Sequence, residues 1–317
     1  MTLLLSEPQV EALLDMKEVV PALEEAFRRE SAGEAVNSPR TRSRAPGAVI
    51  NAMHASLPYL GRSGLKCYLS SAKGTRFVFL LFDSKDSELL AVMGADVLGR
   101  FRTGGASGVA TKHMHPSRNP TLAVLGSGRQ ALTQVIAIQT AVGLTRAKVW
   151  SPNPGHREAF AGKLSGLGID AEAALTASGA MRGVQVASTI TSAAVPFVEE
   201  TAVEDLSHIN VCGGNNPEHS EITAGAVGTF ETIAVDDLPQ AKTEYGDLIQ
   251  AEAAGTFYWG KAVELKEIIS GRVKPKGKTM FKSGGAALED VAVASVVYDK
   301  AVKLGGFPEA SLGFPTF

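Results

Sequence analysis

The feature that most constrains the fold of this chain is a glycine-rich turn after an apolar run, Ala123-Val124-Leu125-Gly126-Ser127-Gly128-Arg129-Gln130-Ala131. The spacing Gly-x-Gly-x-x-Ala, followed by a helical pattern, predicts a strand, a tight turn and a helix. In a dinucleotide-binding turn the first glycine permits the bend, the second lets the backbone approach a pyrophosphate, and the small third residue lets the helix pack against the strand. The free N–H groups at the helix start would then bind phosphate oxygens. We therefore predict a dinucleotide site that includes Gly126, Gly128, Arg129, Gln130 and Ala131.

Beyond this turn, short apolar runs alternate with helical patterns. Such alternation is typical of a parallel sheet with right-handed crossovers. The predicted strands are 121–126, 147–151, 185–189, 208–212 and 232–236, and the predicted helices are 129–142, 155–167, 243–253, 261–269 and, on a weaker pattern, 199–206. The fold class is therefore α/β, with a Rossmann dinucleotide-binding domain over residues 118–287.

The segment ahead of the turn has the pattern of an α+β domain. Apolar residues at helical spacing predict one or two helices over 8–30 and another over 96–113, with a polar loop at 31–47. Short apolar or alternating runs separated by turn residues predict antiparallel strands at 48–57, 65–71, 76–82 and 89–95. An amphipathic helix is predicted at 290–304. We expect it to return to the first domain, which then consists of residues 1–117 and 288–317.

Composition excludes several classes of function. A net charge of −2 gives no electrostatic reason to expect nucleic acid or an acidic membrane as a partner. No apolar run approaches the roughly 20 residues that span a bilayer, and the N-terminus lacks the basic start of a signal peptide. Cys67 and Cys212 have no metal or redox spacing. We expect no metal, and two thiols in a reducing cytoplasm.

Two basic residues lie in sequence contexts that suggest chemistry. Lys66 is in an otherwise apolar strand, where a lysine is costly unless it is paired or functional. It is either a functional cation or an edge-strand lysine that limits aggregation. Arg102 lies near the start of a predicted helix. Its planar guanidinium either clamps a substrate carboxylate through two hydrogen bonds or forms a surface salt bridge.

Several separated motifs together resemble the ornithine cyclodeaminase/mu-crystallin family. They are Gly64-Leu65-Lys66, residues 101–110, the turn at 126–131, residues 208–217 with Glu221, residues 235–237 with Gln240-Ala241 and 246–248, and residues 281–285 with 289–291. The run Arg102-Thr103-Gly104-Gly105-Ala106-Ser107 shortly before the glycine turn is far more specific than the turn alone. The resemblance covers nearly the whole chain in order.

The resemblance implies a fold and a type of chemistry. Members of the family have an N-terminal substrate-binding and dimerisation domain, a Rossmann domain, and a C-terminal helix that rejoins the first domain. They are usually homodimers. They share hydride transfer between a nicotinamide and the Cα of an amino or imino acid. The implied partners of this chain are therefore a small amino or imino acid and a second copy of itself.

The resemblance also assigns substrate-binding residues. Arg102 matches the family's carboxylate-binding arginine, and Lys66 matches its active-site lysine, which could orient the substrate or pass a proton. A substrate-contacting arginine is expected among Arg40, Arg42 and Arg44, which alternate and so point the same way on an extended chain. We choose Arg40, with the register left open. His54 is expected to be a core histidine, with an acid as the alternative.

Asn215 is the main departure from the family pattern. In cyclodeaminases the corresponding Gly-Gly motif is followed by an aspartate, whereas here Asn215 follows Gly213-Gly214. An amide can hydrogen-bond to an amine or imine, but it is not a base near neutral pH. We therefore predict Lys66 and Asn215 as catalytic residues, both in contact with substrate. Cyclodeamination becomes less favoured than plain imine reduction or its reverse.

The cofactor is predicted to be NAD(P)(H), with NADP(H) slightly favoured. The second strand of the Rossmann pattern ends in Ser151-Pro152-Asn153, without the acidic residue that usually binds the ribose 2′-hydroxyl of NAD. Ser151 and Asn153 could bind a 2′-phosphate, with charge from Arg157 or His156. The remaining predicted cofactor contacts are Thr103 at the pyrophosphate, and Thr189, Ile190, Val211, Gly213 and Ser283 at the nicotinamide.

The leading hypothesis is an NAD(P)-dependent oxidoreductase that interconverts an imino acid and an L-amino acid. The imino acid is a ketimine or a 2-oxo acid plus amine, and an iminosuccinate-like acid is one such substrate because a second arginine is available. Two alternatives stay open. One is an ornithine-type cyclodeaminase that keeps NAD bound and releases ammonia. The other is a non-catalytic binding protein, which the presence of both Arg102 and Lys66 disfavours.

Overall fold

The computed structural model describes residues 1–313 and divides the chain into two compact units. Unit 1 consists of Met1–Arg102 and the chain from Ala286 onward, and unit 2 is Thr103–Gly285. The sequence-based boundaries fall later, after residues 117 and 287. The last four residues of the predicted first domain, 314–317, lie outside the described residues.

The first unit has six successive strands with no α-helix between them, whereas strands and helices are interspersed in the second unit. The strands are β1 (Thr2–Leu5), β2 (Val36–Asn37), β3 (Thr41–Ala45), β4 (Ala48–Leu57), β5 (Arg62–Ser71), β6 (Gly74–Asp83), β7 (Leu89–Gly94), β8 (Thr121–Leu125), β9 (Arg146–Trp150), β10 (Ala171–Ala173), β11 (Val186–Thr189), β12 (His208–Val211), β13 (Thr232–Val235), β14 (Ala262–Glu264), β15 (Thr279–Lys282) and β16 (Glu309–Ala310). The helices are α1 (Glu7–Leu13), α2 (Met16–Ser31), α3 (Asp96–Met114), α4 (Ala131–Val142), α5 (Pro154–Gly166), α6 (Ala177–Met181), α7 (Ala224–Gly228), α8 (Leu238–Glu244), α9 (Gly246–Ala253), α10 (Leu265–Ile269) and α11 (Ala287–Leu304). No helix within residues 1–313 is both long and apolar enough to cross a bilayer.

Unit 1 is built on a mixed sheet with the order β16-β1-β7-β6-β5-β4-β2, to which β3 adds by pairing with β4. The strands β4, β5 and β6 pair antiparallel along ten-residue runs. Alternate side chains of these strands are buried, among them Met53, Lys66 and Phe79. Helix α11 packs against β4 and β5 and also contacts α2. The C-terminal helix therefore belongs to the core of this unit.

Unit 2 contains a parallel sheet with the order β10-β9-β8-β11-β12-β15-β13-β14. The strand order reverses between β8 and β11, because the chain runs outward from β8 to β10 and then returns to the other side of β8. In open α/β sheets such a reversal leaves a crevice at the carboxyl ends of the strands, where ligands bind. The predicted α/β fold class with a Rossmann domain is confirmed.

Two glycines on α3 explain part of the motif at residues 101–110. A Cβ at Gly104 would collide with the backbone carbonyl of Thr133, and a Cβ at Gly108 would lie 2.7 Å from the carbonyl oxygen of Ala137. Both pairs are four residues apart on their helices, so they lie on matching faces of α3 and α4. These glycines are therefore required for the close approach of the two helices in unit 2.

Several predicted elements differ from the structure. The predicted helix 243–253 is two helices, because Tyr245 has a non-helical backbone (φ −90°, ψ 87°) and separates α8 from α9. The predicted helix 261–269 begins as a 3-10 turn and the strand β14. Residues 199–206 contain only a 3-10 turn, Glu200–Val203. The predicted loop 31–47 contains the strands β2 and β3. The strands β1, β10, β14, β15 and β16 were also missed, since runs of two to five residues are too short to show a period.

The contact between α3 and α4 predicts a large difference between two glycine-to-alanine substitutions in unit 2. Gly104→Ala forces a methyl group into the Thr133 backbone and is expected to lower the free energy of unfolding by about 2 kcal/mol. Gly162→Ala is the control, because Gly162 lies within α5 with no atom near its Cβ position. It is expected to raise stability by up to about 1 kcal/mol. Urea unfolding followed by circular dichroism measures both; equal stabilities would contradict the packing argument.

Candidate active site

A cluster of buried charges lies in unit 1, where β5, the N-terminal half of α3 and the start of α11 meet. Lys66 Nζ donates a 2.6 Å hydrogen bond to Asp290 Oδ2. Arg102 Nη1 donates to Glu289 Oε2 at 3.0 Å, and its Nε lies 3.4 Å from Asp290 Oδ1. The carboxylate of Asp290 is therefore shared by both cations.

The chain forms this cluster because each charge compensates the burial of another. Lys66 is on the buried face of β5 and is 2% exposed, while Glu289 and Asp290 are fully buried. Charges at such depth are tolerated only when they are paired and hydrogen-bonded. Both acids also lie in the first turn of α11, where the helix dipole stabilises negative charge.

Lys66 has an unusual acidity for a lysine. Burial lowers its pKa to about 8, assisted by the charges of Arg102 and Arg40, whereas Asp290 opposes the shift. Lys66 is therefore charged below pH 8 and progressively neutral above it. Below this value the cluster presents a buried ammonium next to the guanidinium of Arg102, which is the charge pattern expected of a carboxylate-binding site.

The three alternating arginines, Arg40, Arg42 and Arg44, have different surroundings in the structure. Arg40 is 8% exposed and close enough to lower the pKa of Lys66. The Nε of Arg42 donates to Asn51 Oδ1 at 3.0 Å, and Arg44 is exposed. The choice of Arg40 fits this arrangement and stays a prediction. The expectation for His54 was wrong: its side chain is exposed, because Met53 and Ala55 on either side of it take the buried positions of β4.

In unit 2 the glycine turn borders a cavity of about 440 Å³. Gly126 has φ +122°, and a Cβ there would lie 2.5 Å from the carbonyl oxygen of Ile190. Gly128 has no atom within 4 Å of its Cβ position, so the backbone is open to a ligand. The turn and the cavity, which is within the size range of cofactor pockets, therefore fit a dinucleotide. Arg129 and Gln130 are exposed at the turn, and Ala131 is buried at the start of α4.

The polar groups at the end of β9 are used to build the loop. Ser151 Oγ accepts from Ser127 Oγ at 2.9 Å and donates to the carbonyl oxygen of Asn153 at 3.2 Å. Asn153 Oδ1 accepts the N–H of His156 and caps α5. Arg157 is buried, and its Nη1 donates to the carbonyls of Ser151 and Leu175. Its guanidinium thus supports the loop rather than projecting to solvent.

The remaining predicted cofactor residues lie within unit 2. Thr103 is buried near the start of this unit, and its carbonyl accepts from Gln134 Nε2 at 3.4 Å. Ile190 lines the cavity. The others are at or after the carboxyl ends of β11, β12 and β15: Thr189, Val211, Gly213 and Ser283. Of these, the Val211 side chain packs into the hydrophobic core. Asn215, predicted as a catalytic and substrate-binding residue, also follows β12.

Glu221, which was predicted only as part of a family motif, joins the ends of β11 and β12 through its carboxylate. Glu221 Oε2 accepts from Thr189 Oγ1 at 2.6 Å and from the N–H of Gly213 at 2.8 Å. Its Oε1 accepts from the N–H and Oγ1 of Thr191 at 2.7 and 2.6 Å. A side chain at Gly213 would collide with the Glu221 carboxylate. Glu221 therefore fixes the loops after β11 and β12 together.

A buried lysine connects the next strand to the same loops. Lys282 Nζ, at the end of β15, lies 2.7 Å from Asp247 Oδ2 and donates to the Gly214 carbonyl at 3.0 Å. Asp247 Oδ1 accepts from the N–H of Glu221 at 2.7 Å. In the sequence, the only indication that Lys282, Asp247 and Glu221 have a role was that all three lie in the family motifs. The same is true of Glu289 and Asp290 in unit 1.

A second acid holds the loop after β15. Asp236 Oδ2 accepts from Ser283 Oγ at 2.9 Å and from the N–H groups of Gly284 and Gly285 at 3.0 and 2.6 Å. Its Oδ1 accepts from the hydroxyl of Tyr245. The carboxyl ends of adjacent parallel strands are thus braced by buried carboxylates.

Comparison with known proteins shows the family to which the chain belongs. The model of the ornithine cyclodeaminase/mu-crystallin family matches residues 1–305. The alanine dehydrogenase of Archaeoglobus fulgidus is 30% identical over 318 residues, which is 95% of this chain and 95% of that protein. The chain therefore belongs to the ornithine cyclodeaminase/mu-crystallin family, as its motifs predicted.

Two solved structures are similar over almost the entire chain. One is the Delta(1)-pyrroline-2-carboxylate reductase of Thermococcus litoralis in complex with NADH and L-proline, with a TM-score of 0.92, 29% identity, and coverage of 98% of this chain and 100% of that one. The other is an archaeal alanine dehydrogenase dimer with bound NAD, with a TM-score of 0.91, 28% identity, and coverage of 98% and 99%. The predicted enzyme class, a nicotinamide-dependent oxidoreductase of C–N groups, is confirmed by these relatives.

Proposed function

We propose that this protein is an NAD(P)-dependent oxidoreductase that interconverts an imino acid and an L-amino acid at Cα. The observation that carries the proposal is a pair of cations, the buried Lys66 and the partly buried Arg102, which share the carboxylate of Asp290. A chain that also contains an open dinucleotide turn has both parts that this reaction needs: a site for a carboxylate and a site for a nicotinamide cofactor.

The residues of unit 1 bind and orient the substrate in this proposal. Arg102 binds the substrate carboxylate through its guanidinium, whose geometry matches two carboxylate oxygens. Lys66 supplies a second positive charge and, with its lowered pKa, a group that can pass a proton near neutral pH. Arg40 binds a further acceptor on the substrate. This second guanidinium would suit a dicarboxylate such as an iminosuccinate-like acid.

Residues of unit 2 bind the cofactor and the substrate nitrogen. Gly126, Gly128 and the start of α4 hold the pyrophosphate, and the loops after β11, β12 and β15 hold the nicotinamide. A nicotinamide held there would supply the hydride for the imine carbon, or would accept one from the amino-acid Cα in the reverse direction. Asn215 hydrogen-bonds to the imine or amine nitrogen without acting as a base. This residue favours plain imine reduction over ornithine-type cyclodeamination.

We infer that NADP(H) is slightly favoured over NAD(H). No acidic side chain is among the residues that line the cavity in the described chain, so nothing there repels a 2′-phosphate. His156 lines this cavity near the end of β9. Since Arg157 is turned toward backbone carbonyls, His156 is the more direct source of positive charge.

We further propose that the chain forms a homodimer through the outer face of the unit 1 sheet. His54, Leu65, Leu80 and Val92 are paired across four adjacent strands and lie on the face opposite α11. The large side chains exposed on the neighbouring positions of this face are Ile50, Leu69 and Val78. A contiguous apolar sheet face fits a second copy of itself, and a similar archaeal enzyme was solved as a dimer.

The experiment that tests the reaction is a substrate screen followed at 340 nm. Cyclic ketimines, dicarboxylates, and 2-oxo acids with ammonia or methylamine are supplied with NADH and NADPH in parallel. Stoichiometric cofactor oxidation supports the proposal. Ammonia release from a diamino acid without net cofactor turnover would favour the cyclodeaminase instead. Equal rates with NADH and NADPH would reject the cofactor preference.

The carboxylate site predicts distinct effects at Arg102 and Lys66. Arg102→Ala is expected to lower kcat/KM about 100-fold, because two charge-assisted hydrogen bonds are lost. In the wild type, KM for the imino acid should rise above pH 8, where Lys66 loses its charge. Lys66→Arg, which stays charged, should remove this rise. Steady-state kinetics between pH 6 and 10 measure both effects.

The control is Arg146→Ala, which removes an exposed ion pair with Glu172 and should leave kcat/KM unchanged. The assignment of the substrate site would be wrong if neither Arg102→Ala nor Lys66→Ala lowered turnover.

The proposed dimer face predicts that one charge in its centre separates the subunits. Leu80→Lys would bury an unpaired ammonium in the interface and is expected to give a monomer. Leu167→Lys is the control, because Leu167 is exposed after α5 in unit 2. Light scattering after size-exclusion chromatography gives the masses; a wild-type monomer, or a dimer that survives Leu80→Lys, would overturn this interface.

A further inference from the structure

The bracing of the strand ends in unit 2 centres on one buried carboxylate. Glu221 is 1% exposed, and each of its oxygens accepts a backbone N–H: Oε1 from Thr191 and Oε2 from Gly213. The hydroxyls of Thr189 and Thr191 complete the set. Glu221 thus holds residues on both sides of the proposed nicotinamide position, and nothing in the proposed reaction uses its charge.

These bonds favour the ionised form of Glu221. Burial raises its pKa, while the nearby charge of Lys282 opposes that rise. The carboxylate accepts four hydrogen bonds, two from the N–H groups of Thr191 and Gly213 and two from the hydroxyls of Thr189 and Thr191. Four accepted bonds match the four lone-pair positions of an ionised carboxylate, whereas a protonated carboxyl accepts fewer. Asp247, which lies against Lys282, accepts the N–H of Glu221 and ties the backbone of this residue to the same network.

A fixed negative charge in this position distinguishes the two redox forms of a nicotinamide. The oxidised ring carries a positive charge, whereas the reduced ring is neutral. A carboxylate that holds Thr189 and Gly213 would attract the oxidised form of a nicotinamide bound against these residues and not the neutral reduced form. Burial limits the screening of this attraction by salt.

We propose that Glu221 positions the bound nicotinamide and, through its charge, favours the oxidised over the reduced cofactor. This inference rests on the proposed function, which places the nicotinamide against Thr189 and Gly213. It extends that proposal, because it assigns to a residue outside the reacting groups an effect on the redox equilibrium of the bound cofactor.

The test is a comparison of dissociation constants without substrate. Kd values for NAD⁺ and NADH, and for NADP⁺ and NADPH, are measured by isothermal titration calorimetry in the wild type, Glu221→Gln and Glu221→Asp. The measured quantity is the Kd of the oxidised form divided by the Kd of the reduced form. Glu221→Gln is expected to raise this ratio on the order of tenfold, which is the effect of one charge at roughly 10 Å. A tenfold change corresponds to a rise of about 30 mV in the potential of the bound couple.

Two variants separate charge from scaffolding. Glu221→Asp keeps the charge but shortens the side chain, so it should weaken both redox forms and leave their ratio within about twofold of the wild type. Glu204→Gln neutralises an exposed acid after the Glu200–Val203 turn and should change neither constant. If Glu221→Gln weakens both forms equally, Glu221 is a scaffold only and the inference is wrong.

A second neutralisation keeps the test decisive if Glu221→Gln does not fold. Asp247→Asn removes the negative charge that pairs with Lys282 in the same network and should raise the ratio in the same direction by a smaller factor. An unchanged ratio in Asp247→Asn would then overturn the inference. A failure of the proposed function gives a different result: the wild-type protein would then bind no nicotinamide cofactor, and no ratio of dissociation constants could be measured.

Discussion

The carboxylate of Asp290, shared between Lys66 and Arg102, is the interaction on which the account of unit 1 depends. Two cations beside each other under a sheet would repel and would be costly to desolvate. One carboxylate of the first α11 turn contacts both, and Glu289 supplies a further oxygen to Arg102. The cluster keeps the buried Lys66 ammonium and the partly buried Arg102 guanidinium oriented, which is the condition for recognising a carboxylate with little reorganisation.

Buried carboxylates also organise unit 2, but there they bind mainly backbone N–H groups instead of a pair of cationic side chains. Here buried carboxylates accept backbone N–H groups at the carboxyl ends of parallel strands, where loops have no sheet partner of their own. Glu221 holds the ends of β11 and β12, and Asp236 holds the loop after β15. Loops that would otherwise be mobile are thereby fixed in shape before a ligand binds, which limits the entropy lost on binding.

The sequence predicted those parts of the molecule whose signal is local. The glycine turn, the long strands of unit 1 and the unusual context of Lys66 are all visible over a few residues. The partners of Lys66 were not, because Asp290 follows it by 224 positions and only the packing of α11 on β5 joins them. His54 was misplaced for a related reason: an apolar flank on both sides does not reveal which face of a strand is buried.

The central claim, hydride transfer to an imino-acid Cα, is tested most directly by isotope transfer. A cyclic ketimine carboxylate is incubated with the enzyme and reduced cofactor deuterated at the transferring position of the nicotinamide, and the amino-acid product is analysed by mass spectrometry and proton NMR. Direct hydride transfer predicts one deuterium per product molecule, located at Cα, in the wild type. An unlabelled product, or ammonia release with no net oxidation of the cofactor, would contradict it.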